Sequence, residues 1–227
     1  MRIAELFYSI QGEGMLLGVP SVFVRTTGCN LRCHWCDTPY TSWEPEGEDM
    51  SVESILRYVG AHSTGHVVLT GGEPMIAPEV VPLTEALAGL GQHVTIETAG
   101  TVYAAVRCDL MSLSPKLGNS TPWQRDGGRW VQTHERLRWQ PAVLRRLMAD
   151  YAYQLKFVIA SPEDLAEVRT ISAELDAPPD RVVLMPEGTA LDVLRDRGVW
   201  LAEAAKREGY RFTPRLQIEL YGNRRGT

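Results

Sequence analysis

Residues Ser21–Cys36 read SVFVRTTGCNLRCHWC: a short apolar run carrying one cation, then three cysteines within eight residues. The run Ser21–Thr27 is rich in β-branched and aromatic side chains and reads as a strand. Cys29, Cys33 and Cys36 crowd the loop that follows it, while the fourth and last cysteine, Cys108, stands alone. A secreted disulfide scaffold spreads its cysteines along a usually shorter chain, so thiols gathered like this point to metal ligation. Cys108, just before a strand, reads as a small buried hydrophobe.

Outward from this segment, short β-branched runs alternate with longer helical patterns. Strands are expected at His66–Thr70, His93–Glu97, Leu110–Ser114, Gln154–Ile159, Arg181–Met185 and Leu216–Leu220. Helices are expected at Ser51–Gly60, Pro78–Leu90, Pro141–Tyr151, Pro162–Leu175 and Leu191–Glu208. Their punctuation agrees: Ser51 as an N-cap, Pro78 in a first turn, acids at Glu163 and Asp164, and Gly91 and Gly209 where left-handed caps are wanted. Repeated alternation argues for a parallel sheet with crossover helices, either an open α/β sheet or a partial barrel. Ligands in such folds gather at the carboxyl ends of the strands. Cys29, Gly71-Gly72-Glu73, Thr98-Ala99-Gly100 and Pro115-Lys116 all fall there. Residues 119–140 are polar and carry Trp123, Trp130 and Trp139, and read as an inserted loop whose tryptophans pack locally.

The chain has 227 residues, enough for one domain with a full core, and no repeat or low-complexity segment divides it. A net charge of −5 and a pI near 5.6 disfavour nucleic acid, which asks for a basic stripe. No apolar run approaches the roughly 20 residues that span a bilayer. The start Met1-Arg2-Ile3-Ala4-Glu5 lacks a signal-peptide core, so a soluble cytoplasmic protein is expected.

The cysteines follow a C-x₃-C-x₂-C spacing with no fourth thiol beside them. In a four-iron cubane each iron normally takes one thiolate, so three leave one iron open to an outside ligand. A structural zinc site is the bland alternative; it wants four closed ligands, and His34 is a poor candidate because it is adjacent to Cys33.

The C-x₃-C-x₂-C loop with Trp35 before its last cysteine, followed one strand later by Thr70-Gly71-Gly72-Glu73-Pro74, resembles the radical S-adenosylmethionine (SAM) superfamily. Further segments narrow the resemblance: Ser9-Ile10-Gln11-Gly12-Glu13-Gly14, Arg25, Asp37-Thr38, Ser114-Pro115-Lys116 and the ending Tyr221–Thr227. Together they are similar to the 7-carboxy-7-deazaguanine synthase family over nearly the whole chain. The resemblance implies a single radical SAM domain over residues 1–227 with the fold of a partial parallel β/α barrel. It implies a [4Fe-4S] cluster on Cys29, Cys33 and Cys36 with one open iron. It also implies a reaction on 6-carboxy-5,6,7,8-tetrahydropterin, in which a 5′-deoxyadenosyl radical starts a ring contraction. Ammonia is lost and the product is 7-carboxy-7-deazaguanine, of 7-deazapurine (queuosine) biosynthesis.

The resemblance also distributes roles. SAM falls to Trp35, Cys36 and Asp37 near the adenine, to Gly72 and Glu73 at its amine, and to Ser114, Pro115 and Lys116 at its ribose and carboxylate. The pterin falls to Ile10, Gln11, Gly12 and Glu13, to Thr70, and to Arg25, whose fork suits the substrate carboxylate. The carboxylate of Thr227 reads part of the pterin's donor edge, and Thr38 offers its hydroxyl to Mg²⁺, which favours few protein oxygens and retained waters. Family members often carry a histidine where this chain has Gln217, so one substrate contact is expected to be replaced. None of the five histidines has a spacing that marks a proton shuttle, and no general acid or base is assigned. A flavodoxin- or ferredoxin-type electron donor and a homodimer complete what the resemblance implies.

Two rivals remain on the residues alone. A glycyl-radical activating enzyme shares the cysteine loop but leaves Gln11, Glu13, Arg25 and the C-terminal signature without work. A non-catalytic electron carrier wants all four irons ligated by protein, and no fourth ligand is evident.

Overall fold

The β-branched runs become strands of one open nine-stranded sheet in the computed structural model, which describes residues 1–227. β1 (Arg2–Ile10) runs antiparallel to β2 (Pro20–Thr26) and to the short β3 (Glu48–Asp49). Beyond β2 the strands follow in chain order and in parallel: β4 (His66–Gly71), β5 (His93–Thr98), β6 (Leu110–Leu113), β7 (Tyr153–Ile159), β8 (Val182–Pro186) and β9 (Arg211–Phe212). Crossovers are made by α1 (Val52–Gly60), α2 (Val80–Gly89), α3 (Val131–Arg138) with α4 (Pro141–Asp150), α5 (Asp164–Glu174) and α6 (Leu191–Glu208). The expected partial parallel barrel is the one found, with an antiparallel N-terminal edge.

Local chemistry explains the helix ends. The Ser51 hydroxyl accepts from the Ser54 amide at 3.1 Å. Asp164 accepts from the amides of Ala160 (2.7 Å) and Ser161 (3.0 Å), supporting the start of α5. Gly209, at φ +72°, closes α6 in the left-handed conformation that other residues resist. Pro78 lies just ahead of α2, which begins at Val80 without a side-chain cap.

The period of two along each strand divides core from site. Val22 and Val24, Val67 and Leu69, Val94 and Ile96, Met111 and Leu113, Leu155 and Phe157 belong to a single large core beneath the helices. Their intervening neighbours face the other way, and Phe23, Arg25, Thr70, Glu97, Ser114 and Lys156 line a cavity. Phe7 and Phe23 stack there, centroids 4.9 Å apart, so the concave face is apolar at its floor and charged toward the carboxyl ends.

Three expectations need correction. Leu216–Leu220 is not a strand but lies within a short helix, α7 (Leu216–Tyr221), so Gln217 sits on a helix. The apolar alternation there misleads because β9 already holds the sheet edge beside β8, and Pro214, without an N–H, cannot extend it. Residues 119–140 are not a featureless loop: they hold short 3₁₀ turns and helix α3. The N-terminal strand β1 was not expected; a register shift between Ile3 and Glu5 breaks the alternation that marks a strand.

Candidate active site

The cysteine loop springs from the end of β2 and is braced by β4. The Gly72 amide donates to Thr26 O at 3.1 Å and the Glu73 amide to Gly28 O at 2.9 Å. A Cβ on Gly72 would stand 2.1 Å from Gly28 O, so only glycine permits this approach. Cys29, Cys33 and Cys36 all reach the cavity wall. The Leu31 amide donates to Cys29 Sγ at 3.3 Å, the Ser42 hydroxyl lies 3.3 Å from Cys36 Sγ, and Trp43 Nε1 donates to Cys33 O at 2.9 Å. Burial, with the Glu73 carboxylate nearby, pushes the Cys29 thiol up to about 12, and burial raises Cys33 as well. Two such thiols become thiolates only beside a strong Lewis acid.

The donor set fits an iron–sulfur cluster. His34 is exposed and off the cavity wall, which removes the fourth ligand a Cys₃His zinc site needs. The three thiols share one cavity wall, where each could ligate one iron of a cubane.

The same wall carries Trp35, Asp37, Gly72, Ser114 and Lys116. Lys116 Nζ donates to Ser114 Oγ at 2.8 Å, lies 5.9 Å from the Trp35 ring and meets no carboxylate. Pro115 and Glu73 are not on the wall. Glu73 is buried and accepts from Thr98 Oγ1 (2.6 Å), the Ala99 amide (2.8 Å) and the Met75 amide (3.1 Å), so it ties the ends of β4 and β5 together. Burial nevertheless raises its pKa above the usual carboxylate value.

Ile10, Gln11, Gly12, Glu13, Arg25, Thr70 and Thr227 also line the cavity. Arg25 Nε lies 2.7 Å from Glu5 Oε2, which also accepts from Tyr40 Oη at 2.6 Å; the remaining edge of the guanidinium makes no hydrogen bond within the chain. Thr38 lies where this cavity adjoins a second one beneath the tail, and its hydroxyl accepts from Thr41 Oγ1 at 3.3 Å.

Four charged wall residues were missed at the sequence level: Glu97, Lys156, Arg215 and Glu187. Glu97 accepts from Gln11 Nε2 (3.1 Å) and from Thr70 Oγ1 (2.9 Å) and faces the cavity without a paired cation. Lys156 and Arg215 both bind Glu13, which also accepts from Gln217 Nε2 at 2.9 Å. Arg215 further pairs with Asp37 and donates to Gly188 O at 2.6 Å. Burial opposes ionisation of Glu13, but Lys156 and Arg215 outweigh it and hold the carboxyl far below its ordinary range. Glu187 is turned to Arg197. Glu97 and Lys156 carried a legible signal, a charge on the inner phase of an apolar strand. Arg215, in a loop after Pro214, carried none.

Comparison with known proteins adds three findings. Residues 23–120 match the Radical SAM superfamily. A 7-carboxy-7-deazaguanine synthase of Rhodopirellula baltica is 47% identical over 228 residues, covering 100% of this chain and 89% of that protein. One from Halobacterium salinarum is 47% identical over 234 residues, covering 98% and 91%. The crystal structure of QueE from Escherichia coli superposes with a TM-score of 0.69 at 28% identity, covering 95% of this chain and 93% of that one.

Proposed function

Since the chain belongs to the 7-carboxy-7-deazaguanine synthase family of radical SAM enzymes, we propose that the cavity beside the cysteines divides into a SAM half around Lys116 and a pterin half around Arg25. The enzyme is a ring-contracting lyase that converts 6-carboxy-5,6,7,8-tetrahydropterin to 7-carboxy-7-deazaguanine with loss of ammonia. Cys29, Cys33 and Cys36 hold the [4Fe-4S] cluster. When bound, the cluster and SAM supply the radical that begins the reaction.

One observation carries the division. Of the four cations on the wall, Lys156 and Arg215 are neutralised by Glu13 and Asp37. Lys116 has no carboxylate partner, and Arg25, paired with Glu5 through Nε, keeps its two terminal nitrogens free. Two available cations match two incoming carboxylates, that of SAM's methionyl group and that of the pterin. In the SAM half, Ser114 orients Lys116, Trp35 through Asp37 accompany the adenine, and Gly72 with the strand end braced by Glu73 receives the amine. Pro115 acts by shaping the turn before Lys116. In the pterin half, Gln11, Glu97 and Thr70 form one hydrogen-bonded row of the kind that reads a donor-rich edge. Ile10, Gly12 and Glu13 border the ring, and Thr227 closes it. Thr38 offers Mg²⁺ a single hydroxyl where the pterin half begins.

A flavodoxin- or ferredoxin-type donor and a homodimeric assembly belong to the same reading, as does a place in the cytoplasm; no helix is long and apolar enough to cross a membrane.

Titration of the cluster-loaded enzyme with each ligand separates the halves. Arg25→Gln is expected to weaken binding of 6-carboxytetrahydropterin about 30-fold, the worth of a charge-assisted pair, and to leave SAM affinity unchanged. Lys116→Gln is expected to do the reverse. Loss of SAM binding in Arg25→Gln, with the pterin unaffected, contradicts the assignment.

A further inference from the structure

The stretch between Cys29 and Cys33 leans on a helix of the 119–140 segment, to which the reaction gives no role. The imidazole of His134, on α3, is buried at 1% exposure, and its Nδ1 accepts the Arg32 amide at 3.1 Å. That is the only hydrogen bond the Arg32 amide makes. Nε2 of the same ring lies 2.8 Å from Ser120 Oγ, and Ser120 donates in turn to Leu117 O at 2.6 Å. The relay fixes the tautomer: with Ser120's proton committed to Leu117, Nε2 must carry hydrogen and Nδ1 must be bare. Burial pushes His134 down to about 4, so the ring is neutral near pH 7.

The surrounding contacts converge on the same cysteine loop. The His34 amide donates to Ser120 O at 2.8 Å, and Trp35 Nε1 donates to Asn119 O at 3.1 Å. The Arg32 guanidinium lies 4.6 Å from the Trp130 ring centroid. A buried histidine with both nitrogens committed costs more desolvation than an aliphatic residue of its size.

We propose that His134 is a positioning residue for the cluster: by capturing the Arg32 amide on Nδ1, it holds the Cys29–Cys33 stretch in its ligating conformation. Ser120 supports it by fixing the tautomer. The inference rests on the reading of the three cysteines as cluster ligands.

The test measures iron release from the reconstituted holoenzyme to a ferrous chelator, beside thermal melting of the apo-chain. His134→Phe keeps a ring of similar volume and removes the acceptor; release is expected to quicken about tenfold, the usual effect of losing an outer-shell partner. His134→Asn places a carbonyl oxygen near the position of Nδ1 and is expected to restore release to within about twofold of the parent. Equal release from His134→Phe and the parent overturns the proposal. So does release from His134→Asn as fast as from His134→Phe, because ring packing alone then accounts for the loss. If His134→Phe does not fold, Ser120→Ala reads the same contact through the tautomer: faster release supports the proposal, and unchanged release overturns it. A parent chain that binds no cluster under these conditions defeats the cluster reading itself, a result distinct from any of these.

Discussion

Arg215→Met is expected to lower the melting temperature of the apo-chain by roughly 10 °C. The Arg215 side chain is 9% exposed and pairs with Glu13, itself 12% exposed, and with Asp37. Breaking a buried pair from one side leaves a charge without compensation and costs about 3–5 kcal/mol. In a domain of this size each kcal/mol moves the midpoint by about 2–4 °C. Lys156 remains on Glu13, so the loss falls short of abolishing the fold. Adding Asp37→Asn to Arg215→Met is expected to recover part of the midpoint, since Arg215 is the only ion-pair partner of Asp37 and the group left behind no longer bears a charge. The network also has a pH signature. Glu13 titrates below its ordinary range in the folded chain, so its contribution is complete above that range and is lost as the pH falls from there toward the lower folded-state value. A midpoint that moves by less than about 2 °C in Arg215→Met shows a solvent-screened pair and contradicts this account.

Cys33→Ala is expected to take both SAM cleavage and product formation to the limit of detection while the apo-chain still folds. Cys33 is buried on the cavity wall, and trimming one sulfur from such a position costs about 1 kcal/mol, small beside the stability of a domain. On the proposed ligand set, the cluster then loses one of its three protein ligands. Cys108→Ala is the matched control. Its thiol packs against the core and lies 3.6 Å from Val94 O, away from the cavity, so cluster content and turnover are expected to remain those of the parent. Iron content, visible absorption and 5′-deoxyadenosine release measure both variants. A Cys33→Ala chain that still cleaves SAM at the parental rate contradicts the ligand assignment.

Much of the fold was legible because parallel strands buried on their helix-facing side keep a period of two and are rich in β-branched residues. Arg25 was assigned to the site by the resemblance, and the period agrees, since Arg25 lies on the inner face. Glu97 in HVTIET and Lys156 in YQLKFVI sit in the same phase of their strands, and reading them alike would have put both on the cavity wall. Arg215 and Gln217 were beyond such reasoning, since they reach the cavity from a loop and a short helix whose position depends on where the sheet ends. Leu216, Ile218 and Leu220 mimic a strand, yet Leu220 is 55% exposed and only Ile218 is buried. A five-residue alternation cannot by itself tell an edge strand from one and a half turns of helix. Helix α3 was hidden for a different reason. Its sequence VQTHERLR buries only His134, so it has no apolar face to read and is held by polar contacts. Arg138 pairs with Glu135 and Glu167 and donates to Lys116 O at 3.1 Å, while His134 takes the Arg32 amide. Glu167, Lys116 and Arg32 are distant in sequence from α3, and only the fold brings them together.

The most direct test of the central claim is an anaerobic reaction of the iron-reconstituted chain with SAM, dithionite, Mg²⁺ and 6-carboxytetrahydropterin, read by mass spectrometry. Formation of 7-carboxy-7-deazaguanine, absent when Cys33→Ala replaces the parent, is the predicted result. SAM cleavage without that product, in a chain shown to hold a reducible cluster and to bind the pterin, would contradict it.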